Sequence, residues 1–356
     1  MTAAFFVGGL LLLVAGAELL VRGASRLAAA AGISPLVIGL TVVAFGTSAP
    51  ELAVSVKAAL TNQADLAVGN VVGSNTFNVL CILGLSALIA PLAVSKQLVR
   101  FDVPVMIGTS VAVLALASDG TLSRAEGFFL LVAMGAYIAI LMKLGRQQDV
   151  IDSVDTSPSN TGSAGTLSSL LLAVSGLVLL VVGSQWFVDA AVSIATAWGV
   201  SPLVIGLTIV AAGTSLPELV TSVIASLRNE RDIAVGNVVG SNIFNLLCVL
   251  GAATAVAPEG AAITPAMLRF DLPVMLAVAL VCLPIFFTGL SISRGEGAVL
   301  LFFYVAYVGY LVLAATQHAA LPAYSKAMLW FVLPIGMVAI LVPLATAWRQ
   351  PPARRD

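Results

Sequence analysis

Two carboxylates, Glu51 and Glu218, each stand inside a long apolar run, and each ends the same small polar cluster. The segments SPLVIGLTVVAFGTSAPE (34–51) and SPLVIGLTIVAAGTSLPE (201–218) agree at 15 of 18 positions. DLAVGNVVGSNTFNVLCILG (65–84) and DIAVGNVVGSNIFNLLCVLG (232–251) agree at 16 of 20. The offset is 167 in both pairs, so neither copy has gained or lost a residue between its blocks. A duplicated packing surface would keep apolar character, not Gly, Thr, Ser, Asn and Glu at identical spacing. An ionisable group in an apolar run is expensive, and its persistence in both copies points to a functional site.

The chemistry follows from the residue types. Pro50 has no N–H to donate and clashes with the preceding turn, while Gly46 adopts non-helical backbone at little cost. Together they predict a helix broken near its middle, with the carbonyls around Ala44 and Phe45 free of intrahelical partners. Carbonyls freed at membrane depth are tolerated where protein, a water-filled cavity or a cation satisfies them. Thr47 and Ser48 precede Glu51 by four and three residues, a spacing that places all three on one helical face. The next run adds Asn70, Ser74 and Asn78, spaced by four. The second copy repeats the set as Ala211, Thr214, Ser215, Pro217 and Glu218, then Asn237, Ser241 and Asn245.

Every candidate ligand in the pooled set is an oxygen. No His or Cys is placed to join them, which argues against zinc, copper or iron and for a hard cation. Two carboxylates balance one Ca²⁺, or most of the charge of a few Na⁺. Mg²⁺ suits the set less well, because it keeps its waters and demands strict octahedral geometry.

The elements that must position these groups are membrane helices. Apolar residues make up 60% of the chain and charged residues 9%, and mean hydropathy is +1.09, which excludes an ordinary soluble domain. Runs long enough to cross the hydrocarbon core recur at 3–24, 34–60, 66–92, 102–118, 125–144, 166–188, 201–227, 233–256, 271–290, 297–316 and 326–348. In lipid these must be helices. No Lys or Arg precedes Arg22, so the first run is expected to be a retained helix and not a secretory signal. Cys81, Cys248 and Cys282 all lie in apolar runs and read as packing residues.

The repeat extends beyond its two strong blocks. Gly16 answers Gly183 at 167, the segment 100–104 answers 269–273 at 169, and Glu126 and Tyr137 answer Glu296 and Tyr307 at 170. Each half therefore holds five helices, and an odd number inverts the second copy across the membrane. The expected fold is an all-α polytopic membrane protein: a first five-helix repeat over 1–146, an inverted second repeat over 166–316, and an extra transmembrane helix with a basic tail over 317–356. Pro334, Gly336 and Pro343 would kink that extra helix. The linker 147–165 is polar; its Asp149, Asp152 and Asp155 lack the pattern of a calcium loop and read as a solvated cytoplasmic tether. With the N-terminus outside, twelve Lys or Arg fall on the cytoplasmic side and four outside, which places the C-terminus in the cytoplasm.

At the paired GTSxPE and GNVVGSNxFN motifs the chain resembles the sodium/calcium exchanger family of the cation/calcium antiporter superfamily, over roughly residues 1–316. The resemblance implies that both repeats line ion sites occupied alternately by sodium and calcium. By motif position it implies as ligands the Ala44 carbonyl, Thr47, Ser48, Glu51, Ser74 and Asn78. Their partners are the Ala211 carbonyl, Thr214, Ser215, Glu218, Ser241 and Asn245. Some members carry Asp where this chain has Asn245, which leaves the sodium stoichiometry and any part for potassium or protons open. The eleventh helix exceeds the family's usual ten.

The expected activity is Na⁺/Ca²⁺ antiport in the plasma (inner) membrane by alternating access, extruding Ca²⁺. The alternative is Ca²⁺/H⁺ exchange on the same scaffold, with Glu51 and Glu218 carrying the protons. A hydrolase is disfavoured because His318, the one histidine, lies in a loop after the tenth run, far from Thr47 and Ser48. Inverted repeats with broken helices suit alternating access better than a channel. No resident cofactor, nucleic acid or obligatory protein partner is expected; the ions are substrates and the bilayer is the solvent.

Overall fold

Backbone at membrane depth must satisfy its own hydrogen bonds, and helices account for nearly the whole structure. This computed structural model describes residues 2–152, 163–334 and 336–337. Residues 153–162 of the expected linker, and 338–356 of the expected eleventh helix and tail, lie outside the described residues.

The first half comprises α1 (Thr2–Ala31), α2 (Pro35–Thr47), α3 (Ala49–Leu60), α4 (Ala64–Ile89), α5 (Leu98–Asp119) and α6 (Arg124–Asp152). The second comprises α7 (Ser163–Ala197), α8 over 202–213, α9 (Leu216–Leu227), α10 (Arg231–Val256), α11 (Met267–Phe287) and α12 (Arg294–Ala315). A further helix, α13 (Leu321–Ala327), follows and continues through a π-helical turn, Met328–Val332. Among the described residues eight helices are long and apolar enough to span a membrane, and α2 with α3, bent by 46°, makes a ninth. The pair α8 and α9 repeats that broken span 167 residues later, so each half holds five spans.

Helices outrun their apolar stretches. α1 continues past the expected end at 24 to Ala31, since Arg22 and Arg26 end the apolar run without ending the helix. Glu18 meets Arg22 at 2.6 Å, one turn away, and also pairs with Arg228 just beyond the end of α9.

The inversion is visible in the packing of α1 against α7. Gly9 lies on Gly183, Gly16 on Gly176 and Gly23 on Ser169, so one number rises as the other falls. The two helices are repeat counterparts and run antiparallel, and a pseudo-twofold axis exchanges the first two contacts. A Cβ at Gly176 would sit 2.5 Å from Leu20 N and 2.6 Å from Gly16 O, which only glycine avoids. The same axis relates two short antiparallel ladders that hydropathy does not reveal. β1 (Leu92–Ala93) pairs with β4 (Ser291–Ile292), and β2 (Thr121–Leu122) with β3 (Ala261–Ala262), each joining one half to the other.

The two GNVVGSN helices form the centre. Of their apolar windows, 72% of α4 and 94% of α10 are buried, against 33% for α1 and 28% for α7. Cys81, Cys248 and Cys282 are free thiols packed in the apolar core. The weaker repeats at 100–104 and 137 prove structural. Tyr137 Oη donates to Asp102 Oδ1 at 3.0 Å and Gln97 Nε2 to Oδ2 at 3.3 Å; Tyr307 Oη donates to Asp271 Oδ1 at 3.0 Å. Asp102, near the start of α5, is fully buried. Its hydrogen bonds satisfy it and brace α5 against α6.

Overpacking a tight interface costs about 1–3 kcal/mol. Gly176→Val should therefore lower the melting temperature of the detergent-solubilised protein by several degrees. Gly108→Ala, where a Cβ meets nothing within 4 Å, should leave it unchanged.

Candidate functional site

The break between α2 and α3 falls at Ser48, whose φ and ψ of −83° and 6° leave the regular helix just before Pro50. Ser215 does the same in the second copy, at −91° and 10°. These turns redirect the side chains. Thr47, Ser48 and Glu51 all enter one buried cluster, and the two hydroxyls reach across to the other repeat. Ser48 Oγ donates to Glu218 Oε1 at 2.9 Å, and Ser215 Oγ donates to Glu51 Oε1 at 2.9 Å. Thr47 Oγ1 lies 3.1 Å from Asn237 Oδ1, and Thr214 Oγ1 lies 3.4 Å from Asn70 Oδ1. Ser215 Oγ is also 3.1 Å from Ser74 Oγ. Each carboxylate is thus held by a hydroxyl from the opposite half.

A second correction concerns the carbonyls. Ala44 O is not free, since it accepts the Ser48 N–H at 3.0 Å and lies 3.4 Å from Thr47 Oγ1. The helix resumes its bonding up to Ser48, and one lone pair of that carbonyl remains. Ala211 occupies the equivalent place at the start of the turn Ala211–Gly213.

α4 and α10 bring Ser74, Asn78, Ser241 and Asn245 into the same buried region, with π-helical turns beginning at Asn78 and at Asn245. Glu51, Glu218, Thr47, Ser48, Ser215 and Ser241 have no exposed surface, and Ser74, Asn78 and Asn245 have 1% or less. Thr214 is half-buried. Five of the oxygens in this cluster lack a hydrogen-bond partner: Glu51 Oε2, Glu218 Oε2, Asn78 Oδ1, Asn245 Oδ1 and Ser241 Oγ. Nearly all buried polar atoms in folded proteins are paired, so a cluster of unpaired acceptors calls for an explanation. A hard cation supplies one, because it takes oxygens alone and its charge offsets the burial of two carboxylates. No group of three or more His, Cys, Asp or Glu side chains comes together among the described residues.

The asparagines braced behind the site were the residues that stripe reasoning missed. Asn75 and Asn242, 3% and 2% exposed, bond to the amides of Asn245 and Asn78. Asn70 and Asn237 bind Ser55 and Ser222 at 3.0 and 2.9 Å, tying each central helix to the neighbouring half-helix. The signal was present, since the last Asn of GSN is duplicated at the 167 offset, but it falls outside the i, i+4 stripe.

The sodium/calcium exchanger protein family matches residues 1–143 and 168–313, which includes both site-bearing segments. The chain belongs to the sodium/calcium exchanger family. The "Sodium/calcium exchanger MaX1" of Methanosarcina acetivorans is 35% identical over 335 residues, covering 84% of this chain and 95% of that protein. The "Putative antiporter CaxA" of Alkalimonas amylolytica is 40% identical over 314 residues, 86% of this chain and 96% of its own. Among solved structures, the sodium-calcium exchanger NCX_Mj soaked with sodium and strontium superposes with a TM-score of 0.75 at 31% identity, over 86% of this chain and 97% of that one. This exchanger-family chain is a multi-pass membrane protein of the cation/calcium antiporter kind.

The carboxylates are the only charged members of the cluster, and a divalent ion needs both. Glu51→Gln and Glu218→Gln should each abolish calcium transport in proteoliposomes while insertion and melting temperature are retained. Calcium flux at more than about a tenth of the wild-type rate in either variant would contradict this role, since losing one charged hydrogen-bonding partner costs about 1.5–3 kcal/mol, tenfold or more.

Proposed function

We propose that the protein exchanges Na⁺ for Ca²⁺ by alternating access and works as a Ca²⁺ extruder. The observation that carries this reading is the set of buried oxygens without hydrogen-bond partners, contributed equally to the two carboxylates and two amides by the inverted halves. Ca²⁺ takes about 6–8 oxygens at roughly 2.3–2.6 Å. Glu51, Glu218, Asn78, Asn245 and Ser241 offer unpaired oxygens, and Thr47, Ser48, Ser74, Thr214 and Ser215 offer hydroxyls beside them, with the Ala44 and Ala211 carbonyls at the helix breaks. Na⁺ uses the same kind of ligand. Two carboxylates cannot neutralise Ca²⁺ and a full complement of Na⁺ together, so occupancy by one excludes the other and couples their movement.

The name of the Methanosarcina relative supports sodium as the counter-ion. On this reading the ions are substrates, no resident cofactor or partner protein is required, and the protein sits in the plasma (inner) membrane. The excess of basic residues, twelve against four, supports an N-terminus outside and a C-terminus in the cytoplasm.

If three Na⁺ exchange for one Ca²⁺, one net charge crosses per cycle, and voltage biases the flux by ~2.3 kcal/mol per 100 mV. Proteoliposomes loaded with Na⁺ should take up radiolabelled calcium only while the sodium gradient lasts, and an imposed potential set with potassium and valinomycin should speed or slow uptake according to its sign. Uptake indifferent to voltage would mean two Na⁺ per Ca²⁺. Uptake driven by a pH gradient without sodium would establish the proton-coupled alternative instead.

A further inference from the structure

Asn78 and Asn245 are amides, and an amide presents either an acceptor or a donor to a cation depending on which way it is turned. The structure fixes that choice through two residues outside the ligand set. Asn75 Nδ2 donates to the backbone carbonyl of Asn242 at 3.2 Å. A carbonyl can only accept, so Asn75 must turn its Oδ1 the other way, where it accepts from Asn245 Nδ2 at 3.1 Å. The Asn245 nitrogen is thereby held on the side of Asn75, and its Oδ1 is left unpaired among the site's other acceptors. The second arm is its pseudo-twofold mate: Asn242 Oδ1 accepts from Asn78 Nδ2 at 3.0 Å, which leaves Asn78 Oδ1 unpaired. Asn242 Nδ2 in turn points at Met106 Sδ, 3.5 Å away, a weak acceptor in place of a carbonyl.

We infer that Asn75 and Asn242 are positioning residues that set the polarity of the Asn245 and Asn78 amides, so that both present oxygen to the cation. A carboxylate at position 245 would set two acceptors, its own oxygen and Asn75 Oδ1, against each other. The arm through Asn75 ends on a main-chain carbonyl and the arm through Asn242 on a thioether, so position 245 is the more firmly set of the two. The inference rests on the ligand reading proposed above, and adds to it the reason why neutral residues at 78 and 245 act as acceptors.

The test uses the full-length protein. Asn75→Leu and Asn242→Leu keep the branching and heavy-atom count of the side chain and remove the polarity signal. Each should raise the calcium concentration for half-maximal sodium-driven uptake by about tenfold, the worth of one net hydrogen bond. The maximal rate at saturating calcium should stay near wild type, the melting temperature of the ion-free protein should fall by no more than the few degrees that one buried amide without its acceptor costs, and the rise in melting temperature on adding Ca²⁺ or Sr²⁺ should shrink. Asn245→Asp alone should weaken calcium binding, whereas Asn75→Leu with Asn245→Asp should bind more tightly than Asn245→Asp, because nothing then opposes the carboxylate. Unchanged half-saturation in both leucine variants, or an Asn245→Asp effect indifferent to Asn75, overturns the inference. So does a loss confined to the ion-free melting temperature. Cation-induced melting shifts in a wild type that shows no sodium-driven calcium uptake would overturn the exchange reading alone, and the leucine variants would still report on the amides through those shifts.

Discussion

Burying two carboxylates in one low-dielectric cluster is the constraint on which the rest of this structure depends. Each ion taken out of water costs several kcal/mol even after relaxation, and Glu51 and Glu218 act electrostatically on each other besides. No Lys, Arg or His is hydrogen-bonded or ion-paired to either of them among the described residues, so the compensation within the protein is limited to hydroxyls, amides and the ends of broken helices. On the proposed reading, a mobile cation completes the balance. A fixed basic residue would satisfy the carboxylates permanently and leave nothing to transport.

The pseudo-twofold arrangement follows from that requirement. One half supplies a single carboxylate, and the pairing exists only because the inverted copy brings the second. The cross-bonds Ser48–Glu218 and Ser215–Glu51 show that neither half builds a complete site from its own side chains. Around this centre, α4 and α10 are deeply buried while α1 and α7 pack on each other through glycines at the periphery. Glycine contacts let the two backbones approach closely without interlocking side chains.

Much of this was legible in the sequence, and the failures have physical causes. The apolar runs, the odd number of helices per copy and the repeat itself gave the spans and their inversion. The oxygen-only composition of the motifs pointed to a hard cation, in keeping with the family. Helix ends were misjudged because hydropathy reports where lipid ends and not where hydrogen bonding ends, as at Arg22 and Arg26. The partners of Thr47 and Ser48 lie in the other repeat, and periodicity along one helix cannot name them. Ala44 was expected to be free because Pro50 removes one donor, yet the Ser48 N–H still reaches it. Asn75, Asn242 and Asp102 were overlooked since their roles depend on which residue of another helix lies opposite, and single-chain spacing carries no such information.

The central claim is that the unpaired oxygens of Glu51, Glu218, Asn78 and Asn245 hold the transported cation. It is tested most directly by anomalous diffraction from crystals of the protein grown with strontium or calcium and no sodium. The account predicts one strong peak within about 2.3–2.6 Å of Glu51 Oε2 and Glu218 Oε2, in contact with an amide oxygen from Asn78 or Asn245, and its loss when sodium is present in excess. A fully occupied peak elsewhere, with these four side chains still turned as they are here, would contradict it.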